Sequence, residues 1–200
     1  MDYIRNIYGN NIMRKKLKIT FNSPVTLGFA AICLFATLLS YVAGGVINQL
    51  LFMTYRAPMN SPMMYMRLFL HIFGHADFEH FIGNVCYILL LGPLLEEKYS
   101  SKILVIVIVV TAVITGIVNN VCFSDVALCG ASGVVFAFIL LSSFTSFKEG
   151  EVPLTFILVA LLFVGQEIVQ GLMIVDNISN MAHIVGGMIG AALGFKLNKE

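Results

Sequence analysis

The hydrophobic pattern divides the chain into a polar, basic segment over residues 1–24 and a series of apolar runs. The runs cover about 25–47, 81–95, 103–118, 128–147, 154–173 and 181–197. Runs of this kind predict membrane-spanning helices, and the shorter ones need flanking residues to cross a hydrocarbon core about 30 Å thick. The first run is longer than the apolar core of a signal peptide, so we expect it to remain in the mature protein. The pattern therefore predicts an all-α membrane protein, with a six-transmembrane-helix bundle over 25–197 and a short tail over 198–200.

Composition supports a membrane protein and excludes several other classes. Of the 200 residues, 58% are hydrophobic and only 12% are charged, which leaves too little polar surface for a water-soluble domain. The net charge of +1 gives no indication of a nucleic-acid partner. The four cysteines lack CxxC spacing, so neither a metal centre nor a disulfide framework is predicted, and we expect no cofactor.

Basic residues are distributed unequally between the two sides of a six-span arrangement. Arg56 and Arg67 fall on one side, and ten cations fall on the other. The ten are Arg5, Arg14, Lys15, Lys16, Lys18, Lys98, Lys102, Lys148, Lys196 and Lys199. Because cytoplasmic loops carry the excess of Lys and Arg, both termini are predicted to be cytoplasmic. We expect the protein to lie in the plasma membrane.

The segment from 48 to about 79 lies outside the membrane in this arrangement. It combines Pro58 and Pro62 with many Met, Leu and Phe residues, so it is too apolar for a free loop and too interrupted for a span. We expect an interfacial element in the headgroup region. A disordered linker is the alternative, although such segments are usually poor in apolar residues.

Polar residues interrupt three of the apolar segments at a similar predicted depth. They lie at or near the outer starts of the second, fourth and sixth spans. These residues are His71, His75, His80, Asn84, Ser132 and His183. Since an unpaired buried polar group costs about 1–3 kcal/mol, their common depth predicts a shared polar site.

A glycine stripe predicts how two of these residues meet. Gly186 and the glycines four and eight positions later share one helix face with His183. Gly133, next to Ser132, begins a similar small-residue face on the fourth span. Packing of these two faces would bring the Ser132 hydroxyl to the His183 ring, as in a nucleophile–base dyad. Glu167 and Asp176 are alternative third members.

His80 and Asn84 share a helix face, and the Ser132 amide is predicted at a helix start, where N–H groups are free. Together they could form an oxyanion hole. One alternative is that Asn84 bonds across helices and His80 caps its own helix, and another is that Ser132 bonds back to its own helix. His71 and His75 are expected to attach the interfacial element to the second span. Zinc binding by His71, His75 and His80 is a further alternative, but the five-residue step splays the rings.

The sequence resembles the rhomboid intramembrane serine proteases. The resemblance rests on three motifs: His75 followed by His80-x-x-x-Asn84, Gly130-Ala131-Ser132-Gly133, and Ala182-His183-Ile184-Val185-Gly186. Glu96 at the inner end of the second span also fits.

The resemblance implies a six-span fold in which Ser132 is the nucleophile, His183 is the base, and His80, Asn84 and the Ser132 amide form the oxyanion hole. It implies cleavage of the transmembrane segments of single-span membrane proteins. Phe136 replaces a common tyrosine and can stack on His183 without a hydrogen bond, and Met66-Arg67 replaces a common Trp-Arg.

Two other functions are compatible with these residues. One is a catalytically inactive rhomboid-like chaperone or trafficking factor that binds single-span helices. The other is a proton-coupled transporter that uses the histidines. An intact serine and histidine favour the protease.

Overall fold

The computed structural model describes residues 19–123, 126–145, 151–152, 154–173 and 180–198. Within these ranges the protein is all-helical, with one isolated antiparallel bridge between Thr54 and Leu128. The α-helices are α1 Pro24–Val42, α2 Pro62–Leu70, α3 Phe78–Tyr99, α4 Ser101–Cys122, α5 Ser132–Ser142, α6 Leu154–Met173 and α7 Asn180–Leu197, and a π-helix covers Asn48–Phe52. Most of the predicted basic segment, residues 1–18, lies outside the described residues.

Three of these helices are long and apolar enough to cross a membrane. Within the described residues, these helices are α1, α3 and α4, with mean hydropathies of 2.1, 1.5 and 2.6. The helix α5 is apolar but has only 11 residues. The protein is thus an integral membrane protein, and the count of six spans stays a prediction.

Two predicted spans are shorter in the structure, whereas α3 and α4 extend beyond the predicted runs 81–95 and 103–118. The helix α1 ends at Val42 instead of 47, because Gly44 and Gly45 adopt positive φ angles of 62° and 85° that a helix cannot continue. The predicted span over 128–147 is wrong in length, since α5 covers only Ser132–Ser142. Its start is delayed because Leu128 pairs with Thr54 and Gly130 adopts a φ of 127°.

A buried carboxylate joins α1 to α3. Glu96, near the end of α3, accepts hydrogen bonds from the N–H groups of Val25 and Thr26, both at 3.0 Å, and from the Thr26 hydroxyl at 2.8 Å. The Ser101 hydroxyl at the start of α4 donates a fourth, at 2.7 Å. Because these bonds satisfy N–H groups that the first turn of α1 leaves without helical partners, Glu96 fixes the start of that helix.

The predicted interfacial element is folded, so the disordered-linker alternative is not supported. Its helix α2 contains the buried Arg67, whose Nε donates to the Leu50 carbonyl at 2.9 Å. The Arg67 guanidinium also lies over the Tyr55 ring, 4.6 Å from its centroid. One arginine therefore connects α2, the π-helix and the extended segment that follows it.

The short helix α5 lies at the centre of the bundle. It contacts α3, α4, α6 and α7, and its contact with α7 is the most extensive in the described part of the fold. Most of its side chains are buried, including Val134, Phe138 and Leu141. A helix that is apolar on all sides is stable only when other helices surround it, and this arrangement places its first residue, Ser132, inside the bundle.

Candidate active site

Ser132 is the first residue of α5 and is half-buried. The confirmed helix start leaves the Ser132 amide among the first N–H groups of α5, which have no acceptor within the helix. Two residues earlier, Gly130 has a φ of 127°, and a methyl group at this position would lie 2.7–2.9 Å from the His80 ring. Glycine is therefore required at 130 for both backbone conformation and space.

The segment before Ser132 is held in an extended conformation by the first loop. Thr54 and Leu128 exchange N–H···O bonds of 3.0 and 2.9 Å, and the Gly130 N–H donates to the His71 carbonyl at 2.9 Å. Thr54 is fully buried, and the Asn119 side chain donates to its carbonyl and to that of Val126. Sequence reasoning missed this network, because backbone pairing between two short irregular segments leaves no periodic signal.

His80 and Asn84 lie on the first two turns of α3, beside Gly130. The helix is capped by Asp77, whose carboxylate accepts from the His80 N–H at 2.7 Å. The His80 Nε2 and the Asn84 Nδ2 would be 2.9 and 3.8 Å from a methyl group on Gly130. Asn84 is buried, and its Nδ2 has no hydrogen-bond partner among the described residues. Two side-chain nitrogen atoms thus flank the backbone that leads into Ser132.

The helix of His183 packs against α5 through the predicted glycine stripe. A methyl group on Gly186 would lie 2.8 Å from the carbonyl carbon of Gly133 and closer still to its oxygen. Gly190 is equally close to the backbone of Ala137. The predicted close packing of these two faces is confirmed, whereas the hydrogen bond between Ser132 and His183 stays a prediction.

The expected stacking of Phe136 on His183 is also found. The two rings are parallel within 4°, and their centroids are 4.2 Å apart. Phe136 belongs to α5, one turn after Ser132, so the same helix that presents the serine also supports the imidazole ring. A stacked phenyl ring fixes the plane of the imidazole, but it has no hydroxyl group that could form a hydrogen bond with the imidazole nitrogen atoms.

The expected attachment of the first loop to the second span is found for His75, whose ring contacts the His80 and Phe81 rings of α3, but not for His71. The His71 Nε2 lies 3.0 Å from the Ala112 carbonyl of α4, and the His75 Nδ1 lies 3.5 Å from the Thr37 hydroxyl of α1. The expectation was wrong for His71, because the short segment before α3 turns its ring toward α4. The His75 ring also meets the His80 ring edge-on, with centroids 5.2 Å apart, so it supports the candidate oxyanion donor.

In the sequence both histidines lie between α2 and α3, and burial lowers the pKa of each to about 4. For His71 the bond to the Ala112 carbonyl opposes this effect. For His75 the proximity of His80 lowers the pKa further, while the Phe73 carbonyl and the Asp77 carboxylate raise it. Both imidazoles are therefore neutral at pH 7.

The described residues contain no cluster of three metal-ligating side chains, so zinc binding by the three histidines has no structural support. Cys122 and Cys129 are free thiols, as are the other two cysteines. The alternative third members of a triad, Asp176 and the side chain of Glu167, lie outside the described residues.

Comparison with known proteins agrees with this architecture. The sequence profile of the Rhomboid domain matches residues 62–200. The chain is 29% identical to rhomboid protease GlpG of Salmonella choleraesuis (strain SC-B67), over 172 residues that cover 82% of this chain and 61% of the relative. It is 28% identical, with the same coverage, to rhomboid protease GlpG of Salmonella newport (strain SL254) and of Salmonella typhimurium (strain LT2).

The helical membrane architecture and the profile match define the class of protein. The chain belongs to the rhomboid family. It spans 61% of the length of the curated relatives that it matches.

Proposed function

We propose that the protein is an intramembrane serine endopeptidase that uses a Ser132–His183 dyad. The observation that carries the proposal is the convergence of three helix starts: α5 begins with Ser132, packs through Gly133 against Gly186 of the His183 helix, and lies beside His80 and Asn84 of α3. The family membership and the printed names of the relatives support the same activity.

In this mechanism the Ser132 Oγ attacks the scissile carbonyl carbon while His183 accepts the hydroxyl proton. The negative charge that develops on the carbonyl oxygen accepts hydrogen bonds from the Ser132 N–H and from the His80 and Asn84 side chains. His183 then protonates the leaving amine, which leaves an acyl group on Ser132. A water molecule, activated by His183, hydrolyses this ester and regenerates the serine.

The proposed substrates are transmembrane segments of single-span proteins. A peptide bond inside a helix is shielded by its own hydrogen bonds, so the segment must unwind locally before attack. Substrates that contain Gly or Pro near the cleaved bond should be preferred, since these residues lower the cost of unwinding by about 1–3 kcal/mol. The proposed setting is the plasma membrane, with six spans over 25–197 and both termini cytoplasmic, as the distribution of Lys and Arg favours.

The test is cleavage of a single-span reporter by the purified protein, together with labelling by a fluorophosphonate probe that reacts with activated serines. Ser132→Ala should abolish labelling and lower cleavage by at least about 10³-fold. Ser142→Ala is the matched control, because the Ser142 hydroxyl lies at the other end of α5 and donates to the Ile139 carbonyl. Cleavage that persists in Ser132→Ala would refute the proposal, and binding of reporters without cleavage by the wild type would favour the chaperone.

A further inference from the structure

An apolar groove lies along the edge of the contact between α2 and the end of α4, and Ser132 is not among its lining residues. Its volume is about 530 Å³, within the range of small-molecule sites. Its walls include Met59, Met64, Leu68, Ile117 and Val121, and one charged residue, Arg56, lies among the lining residues. No acidic side chain lines the groove, so Arg56 determines the sign of its electrostatic potential.

Arg56 is held in place by the end of α4. Its Nε donates to the Asn120 carbonyl at 3.0 Å, and its Nη2 donates to the Val121 carbonyl at 2.6 Å. These bonds use two of the five N–H donors of the guanidinium and orient it at the groove. The side chain is exposed, so the other donors can reach a ligand. A positioned, exposed guanidinium is suited to bidentate recognition of a phosphate.

The groove also lies at the membrane boundary. The helix α4 is a candidate span with a mean hydropathy of 2.6, and Ile117 and Val121 occupy its last two turns. At this end the helix leaves the hydrocarbon core, at the level where lipid phosphates are found. Val121 is 66% exposed and Met59 is 83% exposed, so apolar surface is available there beside the cation.

We propose that this groove binds one phospholipid, with its phosphate at Arg56 and an acyl chain along the apolar side chains that α2 and α4 contribute to the groove. A polypeptide is a poorer occupant, because its backbone would need hydrogen-bond partners that these walls lack. The Asn120 side chain, the other polar group of the groove, is already bonded to the Thr54 hydroxyl. The ligand would thus contact the first loop, whose Thr54 also pairs with the segment before Ser132.

The test is native mass spectrometry of the purified, delipidated protein with added phosphatidylglycerol. The wild type should retain one lipid, and Arg56→Gln should weaken binding by about 10- to 100-fold through the loss of charge-assisted bonds. Lys102→Gln is the matched control, because Lys102 is an exposed cation at the opposite end of α4, and it should bind as the wild type does. Ile117→Trp, which keeps Arg56 and its carbonyl partners, should reduce binding by filling the groove.

Two further ligands distinguish the parts of the proposed site. Diacylglycerol has the chains without the phosphate, and glycerol phosphate has the phosphate without the chains; both should bind at least about 10-fold more weakly than the phospholipid. Equal retention of phosphatidylglycerol by the wild type, Arg56→Gln and Ile117→Trp would overturn the proposal. Retention of diacylglycerol as strong as that of the phospholipid would also overturn it. These readouts do not depend on proteolysis, so they are independent of the proposed activity.

Discussion

Adjacent glycines on α7 allow a direct test of the helix packing at the candidate site. A methyl group on Gly186 would lie 2.8 Å from the carbonyl carbon of Gly133, whereas one on Gly187 would lie 3.7 Å from the Leu140 side chain, an ordinary contact. Both glycines are buried on the same helix. The pair Gly186→Ala and Gly187→Ala therefore differs in the neighbouring atoms that the new methyl group meets.

The expected magnitude follows from these distances. In Gly186→Ala the contact is with the backbone of α5, which cannot rotate away, so the two helices must separate by about 1 Å. Overpacking of this kind costs about 3 kcal/mol at the upper end of its usual range, and the helix propensity of alanine offsets about 1 kcal/mol. We expect a net loss of about 2 kcal/mol in the free energy of unfolding. Gly187→Ala should be neutral or more stable by up to about 1 kcal/mol.

Activity should be more sensitive than stability. A displacement of about 1 Å between Ser132 and His183 should lower cleavage about 10²-fold in the protein that remains folded. Unfolding free energy in bicelles and cleavage of a single-span reporter measure the two effects separately. Equal stability and equal cleavage in Gly186→Ala and Gly187→Ala would refute the packing described here.

Two further predictions concern stability. Glu96→Gln should lower the free energy of unfolding by about 2–4 kcal/mol, because a neutral amide cannot accept all four hydrogen bonds. The control is Glu97→Gln at the exposed neighbouring position, which should change the free energy of unfolding little. Equal effects of the two substitutions would contradict the role of Glu96. Acidification should destabilise the protein because His71 and His75 have pKa values of about 4 when folded and about 6.5 when unfolded. Between these values the unfolded state binds more protons, so stability falls as the pH decreases from 6.5, by up to about 1.4 kcal/mol per pH unit for each histidine. Unfolding measured at pH 6.5 and pH 5 tests this, and equal stability at both would contradict it.

Much of the site geometry could be predicted from sequence because it depends on local spacing. The four-residue repeat at Gly186 and Gly190 predicts one small-residue face whatever the surrounding fold, and this face is where α5 packs. The start of α5 at Ser132 is likewise a local feature. The stacking of Phe136 on His183 joins two helices, and it was expected only from the resemblance to the rhomboid proteases.

The remaining features depend on contacts between distant segments. The apolar run predicted as a span begins at Leu128, so hydropathy alone assigned this residue to a membrane helix, although Leu128 pairs with Thr54 in an extended conformation. The predicted partner of His71 was wrong for the same reason: ring direction depends on the turn before α3, and spacing along the chain does not specify it. The groove at Arg56 had no sequence signal.

The short length of α5 has a consequence for chimeric proteins. Eleven residues extend about 16 Å, roughly half of a hydrocarbon core, so irregular backbone continues below the lipid surface. Such backbone is tolerated only where protein supplies its hydrogen bonds, and here Thr54, His71 and Asn119 supply them. The first loop and the extended segment before Ser132 therefore form one exchangeable unit, and grafts between relatives should transfer both segments together.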